Sequence, residues 1–422
     1  MTLRDGISPD VVVDIDHHSD EFNLNELEVS AAARRKCPVA WNEQYGGFWF
    51  VTGYDEVAQI AKDGETFAHK YEPNASDGIN YLGEIGVPRP EGQPPLGIGE
   101  IDGPYHRSLR RELNPRFSPQ AVKRMRPFME QAVDWFIDQR ITEASMDLVL
   151  DYASPIPSIL TMRLMGLPLE NWRLYADLFH STIACPPSSD EYQNAIEKVP
   201  SIMEDLTTFA AERRADPLDD LTSLLVEFEF DGQKLTDAQI LDIFWNLIGG
   251  GVDTTSSLVA WSLHHLGQHQ DLRQRLIDDP SLYEAAADEF LRFYSVNQQL
   301  SRTVTKDVVV GDQMLRRNDQ VLISWLAANH DENGFDRPDE VVLDRQSNRH
   351  LAFGLGPHRC IGSHLAREMF AVMVRGILER IPDYDVGSGP VDQYLGNPAM
   401  TGLVHLPATF TPGNSLGTER PY

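Results

Sequence analysis

The sequence predicts a mainly helical chain with small β-sheets, an α+β fold. Three observations carry this. Apolar residues recur at helical spacing across residues 104–294, strand-like stretches are short and confined to residues 38–51 and 304–343, and strands and helices never alternate as βαβ units. The last point argues against a nucleotide-binding sheet.

Taken in order, residues 38–51 hold two apolar runs around Gly46-Gly47 and read as a hairpin. Residues 71–100 are rich in Gly and Pro and read as a long irregular loop, a kind that is usually functional or disordered. The helical region 104–294 is broken at Ser118-Pro119, at 166–168, at Pro186-Pro187 and at Asp216-Pro217. Residues 236–266 form the longest helical candidate, opened by a Thr236/Gln239 capping box and apolar along most of its length. Gly249-Gly250-Gly251 inside it cost about 1 kcal/mol each against Ala, so a kink or a close approach is expected there. Residues 304–343 turn strand-like, with a β-rich core over 307–324, where Asn318 suits a left-handed turn. A last helix follows Cys360 and runs to about Arg380, with Leu365, Ala366, Met369, Val372 and Met373 on its apolar face.

The chain has 422 residues, enough by length alone for two or three domains, and its 41% hydrophobic and 24% charged content is ordinary for a globular protein. No apolar run is long enough to span a bilayer, and the acidic N-terminus lacks a signal peptide's basic start, so a cytoplasmic protein without a membrane anchor is expected. Three cysteines, Cys37, Cys185 and Cys360, make no disulfide framework. The net charge of −28 makes nucleic acid an unfavourable partner. A local exception runs from His106 to Arg126, where Arg107, Arg110, Arg111, Arg116, Lys123, Arg124 and Arg126 face a single acid, Glu112.

The residues richest in chemistry are Phe353-Gly354-Leu355-Gly356-Pro357-His358-Arg359-Cys360-Ile361-Gly362. Gly354 and Gly356 permit a tight path, and Gly362 leaves room for a planar group. A cysteine before a helix, near N–H groups and with His358 and Arg359 beside it, is expected to have a lowered pKa and to act as a soft metal ligand. The plain alternative is a Gly-rich loop with a buried cysteine. Zinc would need more ligands nearby.

This loop resembles the Phe-Gly-x-Gly-x-His-x-Cys-x-Gly haem-binding loop of the cytochromes P450, every specified position matching in register. The resemblance covers residues 38–410 and is weakest over 71–100 and 170–199. It implies one domain over 1–422 with α-rich and β-rich subdomains around a buried haem b. In that organisation 1–37 is an N-terminal segment, about 71–100 and 170–199 roof the substrate, and 353–362 is the ligand loop.

By the resemblance, Cys360 ligates iron, and Phe353, Gly354 and Gly362 line the cofactor. Glu289 and Arg292, at i and i+3 on one helix face, become an internal ion pair where they would otherwise read as a solvated one. The segment 250–255 resembles the family's oxygen-activating stretch, with Thr254 donating a hydrogen bond and Asp253 linking to solvent for proton delivery. The alternative is a polar kink with Thr254 bonded back to the preceding turn. Gly250 replaces the family's usual Ala. Asp102-Gly103-Pro104-Tyr105-His106 with Arg110 resembles the start of the haem-edge helix, Asp102 serving as its cap. His106, Arg110, Arg302 and His358 are then propionate donors, or else ordinary surface cations.

The implied activity is insertion of one atom of O2 into an apolar substrate such as a lipid, terpenoid or steroid. Electrons would come from an acidic ferredoxin with its NAD(P)H-dependent reductase, docking on Arg107 and Arg111. Pocket candidates by position are Asn246, Gly249, Val296 and Met400, and the chain is expected to be a monomer. Two rivals stand beside this reading: a peroxide-using haem-thiolate enzyme, which would not need Asp253 and Thr254, and a haem sensor, which would not need a substrate roof.

Overall fold

The computed structural model describes residues 7–90, 92–395 and 397–422. The chain opens with β1 (Val12–Val13) and α1 (Asp20–Lys36), whose Ser19 hydroxyl accepts from Phe22 N. The expected hairpin follows as β2 (Val39–Asn42) and β3 (Phe48–Val51), paired antiparallel. Every residue of both strands is buried, so they read as continuous apolar runs with no alternation. After α2 (Tyr54–Lys62) and β4 (Phe67–Ala68), residues 71–100 are mostly irregular, with only β5 (Tyr71–Glu72), β6 (Tyr81–Leu82) and a short 3-10 turn at Gly97–Glu100.

The helical region begins with α3 (Gly103–Leu113) and α4 (Pro119–Asp138), the latter capped by Ser118 with Pro in its first turn. The break at 139–154 was not expected: β7 (Ser145–Asp147) and a wide helical turn, Leu148–Ala153, interrupt the pattern there. Next come α5 (Pro155–Met165), α6 (Trp172–Ala184), α7 (Asp190–Ile196), α8 (Val199–Ala215) and α9 (Leu221–Glu227). Gly166 ends α5 with φ +78°, where a Cβ would lie 2.2 Å from Asp220 Oδ2, so only glycine fits that cap. The hairpin of β8 (Glu229–Phe230) and β9 (Gln233–Lys234) leads into α10 (Asp237–Gln268). Both halves of the Thr236/Gln239 capping box are made.

The helices α11 (Gln270–Asp278) and α12 (Tyr283–Tyr294) precede the strands β10 (Gln299–Val304), β11 (Val308–Val310), β12 (Gln313–Leu315) and β13 (Gln320–Ser324). Asn318 takes the left-handed turn with φ +75°. The strand-like pattern ends earlier than the sequence suggests. Ser324 accepts from Ala327 N and starts α13 (Trp325–Asn329), after which the chain is irregular to residue 350. The last helix, α14 (Ser363–Arg380), precedes β14 (Pro407–Thr409), which pairs with β7.

Among the described residues, six strands form a mixed sheet in the order β1-β2-β3-β13-β10-β4. Two larger hydrophobic clusters among the described residues position the site. One is helical and joins α4, α5, α6, α10, α12 and α14; the other underlies the sheet and includes Trp41, Val57, Phe67, Val321 and Trp325. The loop 353–362 lies at their junction: Phe353 and Ile361 pack on the helical cluster and Leu355 on the sheet cluster.

Candidate active site

The glycines of the 353–362 loop carry its shape. Gly354 and Gly356 have φ of +64° and +69°, and a Cβ on Gly356 would stand 2.6 Å from the Ala61 carbonyl oxygen. Cys360 N donates to Phe353 O at 2.8 Å, which closes the loop on itself. The Cys360 side chain is thereby presented to a cavity that Phe353, Gly354, His358 and Gly362 also line. Its far wall is α10, through Asn246, Gly250, Gly251 and Thr254. The thiol corrects one expectation. It is open to the cavity yet deep in the protein, and burial pushes its pKa up, against the opposing pull of the Gly362 N–H and of Arg110, Arg359 and Arg367.

The glycine run of α10 shows no kink. Gly249 and Gly251 allow close approach: a Cβ would meet the Phe179 ring at 2.8 Å and Thr161 Oγ1 at 2.5 Å, whereas one on Gly250 would meet nothing within 4 Å. Gly250 therefore faces open space in the cavity. Gly249 faces Phe179 and does not line the cavity, so its expected pocket role is corrected. Val296 and Met400 are also absent from the lining: Val296 is buried with its carbonyl bonded to Thr401 N, and Met400 bridges to Asn297. Asn297 and Leu300 line the cavity in their stead, and Asn246 lines it as expected by position.

On the sheet side of the cavity the cationic residues converge. Arg302 is buried, with Nη1 donating to Ser301 O at 2.6 Å and lying 3.4 Å from Glu84 Oε2, while its Nε has no partner among the described residues. Arg110 lines the cavity and donates to Arg359 O at 2.8 Å. His358 Nε2 donates to Asp102 Oδ1 at 2.9 Å. Its ring is sandwiched between His106, at 4.0 Å, and His69, at 3.6 Å. His106 does not itself line the cavity, and its buried Nε2 has no partner among the described residues. Burial first, then the charges of His358 and Arg110, push the His106 pKa down to about 3. Asp102 is held down at about 2: burial opposes this, but the bond from His358 and the charge of His69 outweigh it. Its carboxylate does not cap α3. It accepts from His69 N and Lys70 N, both at 2.9 Å, which pulls it off the helix end. His69, whose Nδ1 meets Glu84 Oε2 at 2.9 Å, and Glu84 were not foreseen.

Asp253 and Thr254 do not meet in the cavity. Neighbours on a helix point about 100° apart, and only Thr254 faces the cavity, where its hydroxyl donates to Gly250 O at 2.7 Å. Asp253 is fully buried, so its carboxyl does not itself reach solvent. Its Oδ1 accepts from Tyr394 Oη at 3.1 Å and lies 3.5 Å from His180 Nδ1. Away from the cavity, Glu289 and Arg292 are 0% exposed and joined by two bonds of 2.9 and 2.8 Å. Arg345, which the sequence reading missed, adds a third contact to Glu289 at 2.9 Å.

Haem fits these residues. A slot runs between the Cys360 loop and α10, a thiol opens into it, and the cationic Arg302 beside it holds a buried nitrogen without a partner among the described residues. Among the described residues no helix is long and apolar enough to cross a membrane.

A protein-family model described as "Cytochrome P450" matches residues 168–381. The chain is 31% identical over 319 residues to the steroid C26-monooxygenase of Mycolicibacterium smegmatis, spanning 74% of this chain and 79% of that one. It is 26% identical over 410 residues to the polyketide biosynthesis cytochrome P450 PksS of Bacillus subtilis, spanning 93% and 98%. The solved structure of PksS superposes with a TM-score of 0.81 at 25% identity, covering 94% of this chain and 100% of that one. CYP109E1 from Bacillus megaterium in complex with testosterone gives 0.79 at 25% identity, covering 93% and 99%. With its cysteine loop, cavity and central helix arranged in this way, the chain belongs to the cytochrome P450 family and is a haem-dependent monooxygenase.

Proposed function

We propose that this enzyme oxygenates a medium-sized apolar substrate at a haem b held by Cys360, with electrons from an acidic ferredoxin and its NAD(P)H-dependent reductase. The observation that carries the reading is the opening of the Cys360 thiol into the same cavity as Thr254 of α10. When bound, haem supplies oxygen activation at an iron whose electron density a thiolate ligand raises. The remaining roles belong to the chain. Arg302, His358 and Arg110, with His106 stacked behind His358, would anchor the propionates, and Arg302 Nε, which has no partner among the described residues, is the free donor that supports this. Phe353, Gly354 and Gly362 would flank the macrocycle. Thr254 would hold a hydroxyl proton toward the cavity, and Asp253 behind it would hold the proton that replaces it.

For the substrate, Ile98, Leu164, Leu247 and Leu300 supply apolar wall, and Asn246 and Asn297 supply amides. A relative named for steroid oxidation and a neighbour solved with testosterone support a molecule of that size and polarity. The regions 71–100 and 170–199 would form the roof.

The test is spectroscopic. The ferrous carbonyl form should show the red-shifted Soret band of thiolate ligation, and Cys360→His should move it to the position of imidazole ligation. An unchanged spectrum in that variant would remove Cys360 from the iron. A screen of ligand-induced changes in the same band would identify the substrate class.

A further inference from the structure

Asp253 belongs to a buried cluster drawn from three parts of the chain. His180 comes from α6, within the region 170–199, and Tyr394 from the segment after α14. His180 Nε2 lies 3.2 Å from the Val404 carbonyl oxygen. A carbonyl only accepts, so Nε2 carries a proton. Nδ1 then faces Tyr394 Oη at 3.2 Å and Asp253 Oδ1 at 3.5 Å. Ser257 donates to Tyr394 Oη at 3.3 Å, and Tyr394 Oη lies 3.1 Å from Asp253 Oδ1.

The proton count decides what this cluster can be. Tyr394 has one proton to give. If it goes to Asp253, a neutral Nδ1 would set its lone pair against the lone pairs of the phenol oxygen. Nδ1 must then be protonated, an imidazolium beside a carboxylate. If instead the phenol donates to Nδ1, its oxygen and Asp253 Oδ1 face each other as acceptors, and the carboxyl must carry the proton. Both arrangements hold one proton more than an ionised Asp253 with a neutral His180, and they differ only in where it sits. Leaving it out would bury two acceptors face to face.

We infer that His180 and Tyr394 are positioning residues that keep one additional proton on the Asp253 cluster, so that region 170–199 controls the proton supply to the reaction. This rests on the proposed role of Asp253 in proton handling. Asp253 Oδ2 is buried and has no hydrogen-bond partner among the described residues, which leaves it as the oxygen through which the proton can be taken up or passed on. The ionisable groups acting on the cluster are Asp253 on α10, Asp147 on β7 and Cys185 just after α6. Burial alone would lower the His180 pKa, but the bond and charge of Asp253 raise it above the ordinary value. Because His180 rides on α6, a movement of that helix would separate imidazole from carboxylate.

The test begins with the ring itself. Holoenzyme labelled at histidine Cε1 is titrated by NMR in its diamagnetic ferrous carbonyl form, with His180 assigned by its loss in His180→Gln. In the parent, the His180 ring signal should report release of the cluster's additional proton only above neutral pH, whether that proton sits on the imidazole or on Asp253. In Asp253→Asn its transition should fall by at least one pH unit, a tenfold loss of proton affinity. The same transition in both proteins overturns the inference. The second arm follows the pH dependence of NADPH-driven oxygen consumption with a plant-type [2Fe–2S] ferredoxin and its reductase. His180→Gln, which retains a donor for Val404, and Tyr394→Phe should each lose rate toward high pH earlier than the parent. If Asp253→Asn is slowed while both of these match the parent at every pH, the inference fails and the role of Asp253 stands. If Asp253→Asn itself matches the parent, the role of Asp253 fails, and the NMR result alone decides whether the cluster holds the proton.

Discussion

Thr254 is tied by its hydroxyl to Gly250 O, one turn back, so its proton is committed to the helix until something in the cavity competes for it. Gly250 has open space over it, and a small ligand there would lie beside that hydroxyl. Thr254→Ala removes the donor and leaves the fold, the cysteine loop and the apolar wall intact. We expect haem and ligand binding unchanged and NADH electrons diverted from product to peroxide, with product formation falling by about tenfold or more, since a placed proton donor contributes about 10²-fold or more. Product per NADH, with a ligand found in the spectral screen, is the measurement. An undiminished ratio would show that Thr254 is not needed for coupling. Cys360 and Thr254 were legible because each sits inside a short motif whose spacing is local. His180 and Tyr394 carry no such signal: they meet 214 positions apart, in a contact that only the tertiary fold makes.

Buried charge ties elements together alongside apolar packing. Glu289 and Arg292 on α12 share one helical turn, and Arg292 also donates to the carbonyls of Asn329, Pro338 and Glu340, tying α12 to the irregular chain after α13. Arg292→Met would leave the buried Glu289 with Arg345 as its remaining cationic partner and free the three carbonyls, and breaking one partner of a buried pair costs about 3–5 kcal/mol. Urea unfolding should show that loss; a change under about 1 kcal/mol would mean the pair is dispensable. Glu26 on α1 is a contrary case. Its Oε1 accepts from the Ser324 hydroxyl, its Oε2 has no partner among the described residues, and burial pushes its pKa up to about 8 from 4.5. The folded state thus holds a proton that the unfolded chain releases. This contribution is complete below pH 4.5 and is lost as pH rises to about 8, at about 1.4 kcal/mol per pH unit at most. Glu26→Gln keeps a partner for Ser324 and should flatten that slope between pH 5 and 8, which paired unfolding curves would read; equal slopes in both proteins would refute the burial argument. At this scale too, local signals were readable and distant ones were not. The Thr236 box and the Ser118-Pro119 start are written in adjacent residues. The end of the strands at Ser324 depends on a cap that alternation does not reveal, and the interruption at Ser145–Asp147 depends on pairing with β14.

Across the whole molecule the net charge of −28 would repel an acidic ferredoxin, so its docking needs a local exception. The structure narrows the cationic run of residues 106–126. Arg110 turns to the cavity, Arg116 pairs with Asp219, and Arg126 pairs with Glu130 and Glu368. Arg107, Lys123 and Arg124 are exposed with no ion pair among the described residues, and Arg111 is 75% exposed with only its neighbour Glu112 at 3.6 Å. Arg107 and Arg111 share one face of α3 at i and i+4. Attraction from this patch acts at contact range, while the repulsion of the whole chain acts at long range. Salt screens the second first, because the Debye length is about 30 Å at 0.01 M and about 8 Å at 0.15 M. Electron transfer from the proposed ferredoxin should therefore be fastest at an intermediate ionic strength. Replacing both arginines by Glu removes the attraction and keeps the repulsion. The rate should then fall several-fold at low salt and only rise as salt is added, with substrate binding unaffected, as expected for rim charges that govern association. Stopped-flow reduction across a salt series checks this. If the double variant is reduced as fast as the parent at low salt, these arginines are a solvated face and the ferredoxin docks elsewhere.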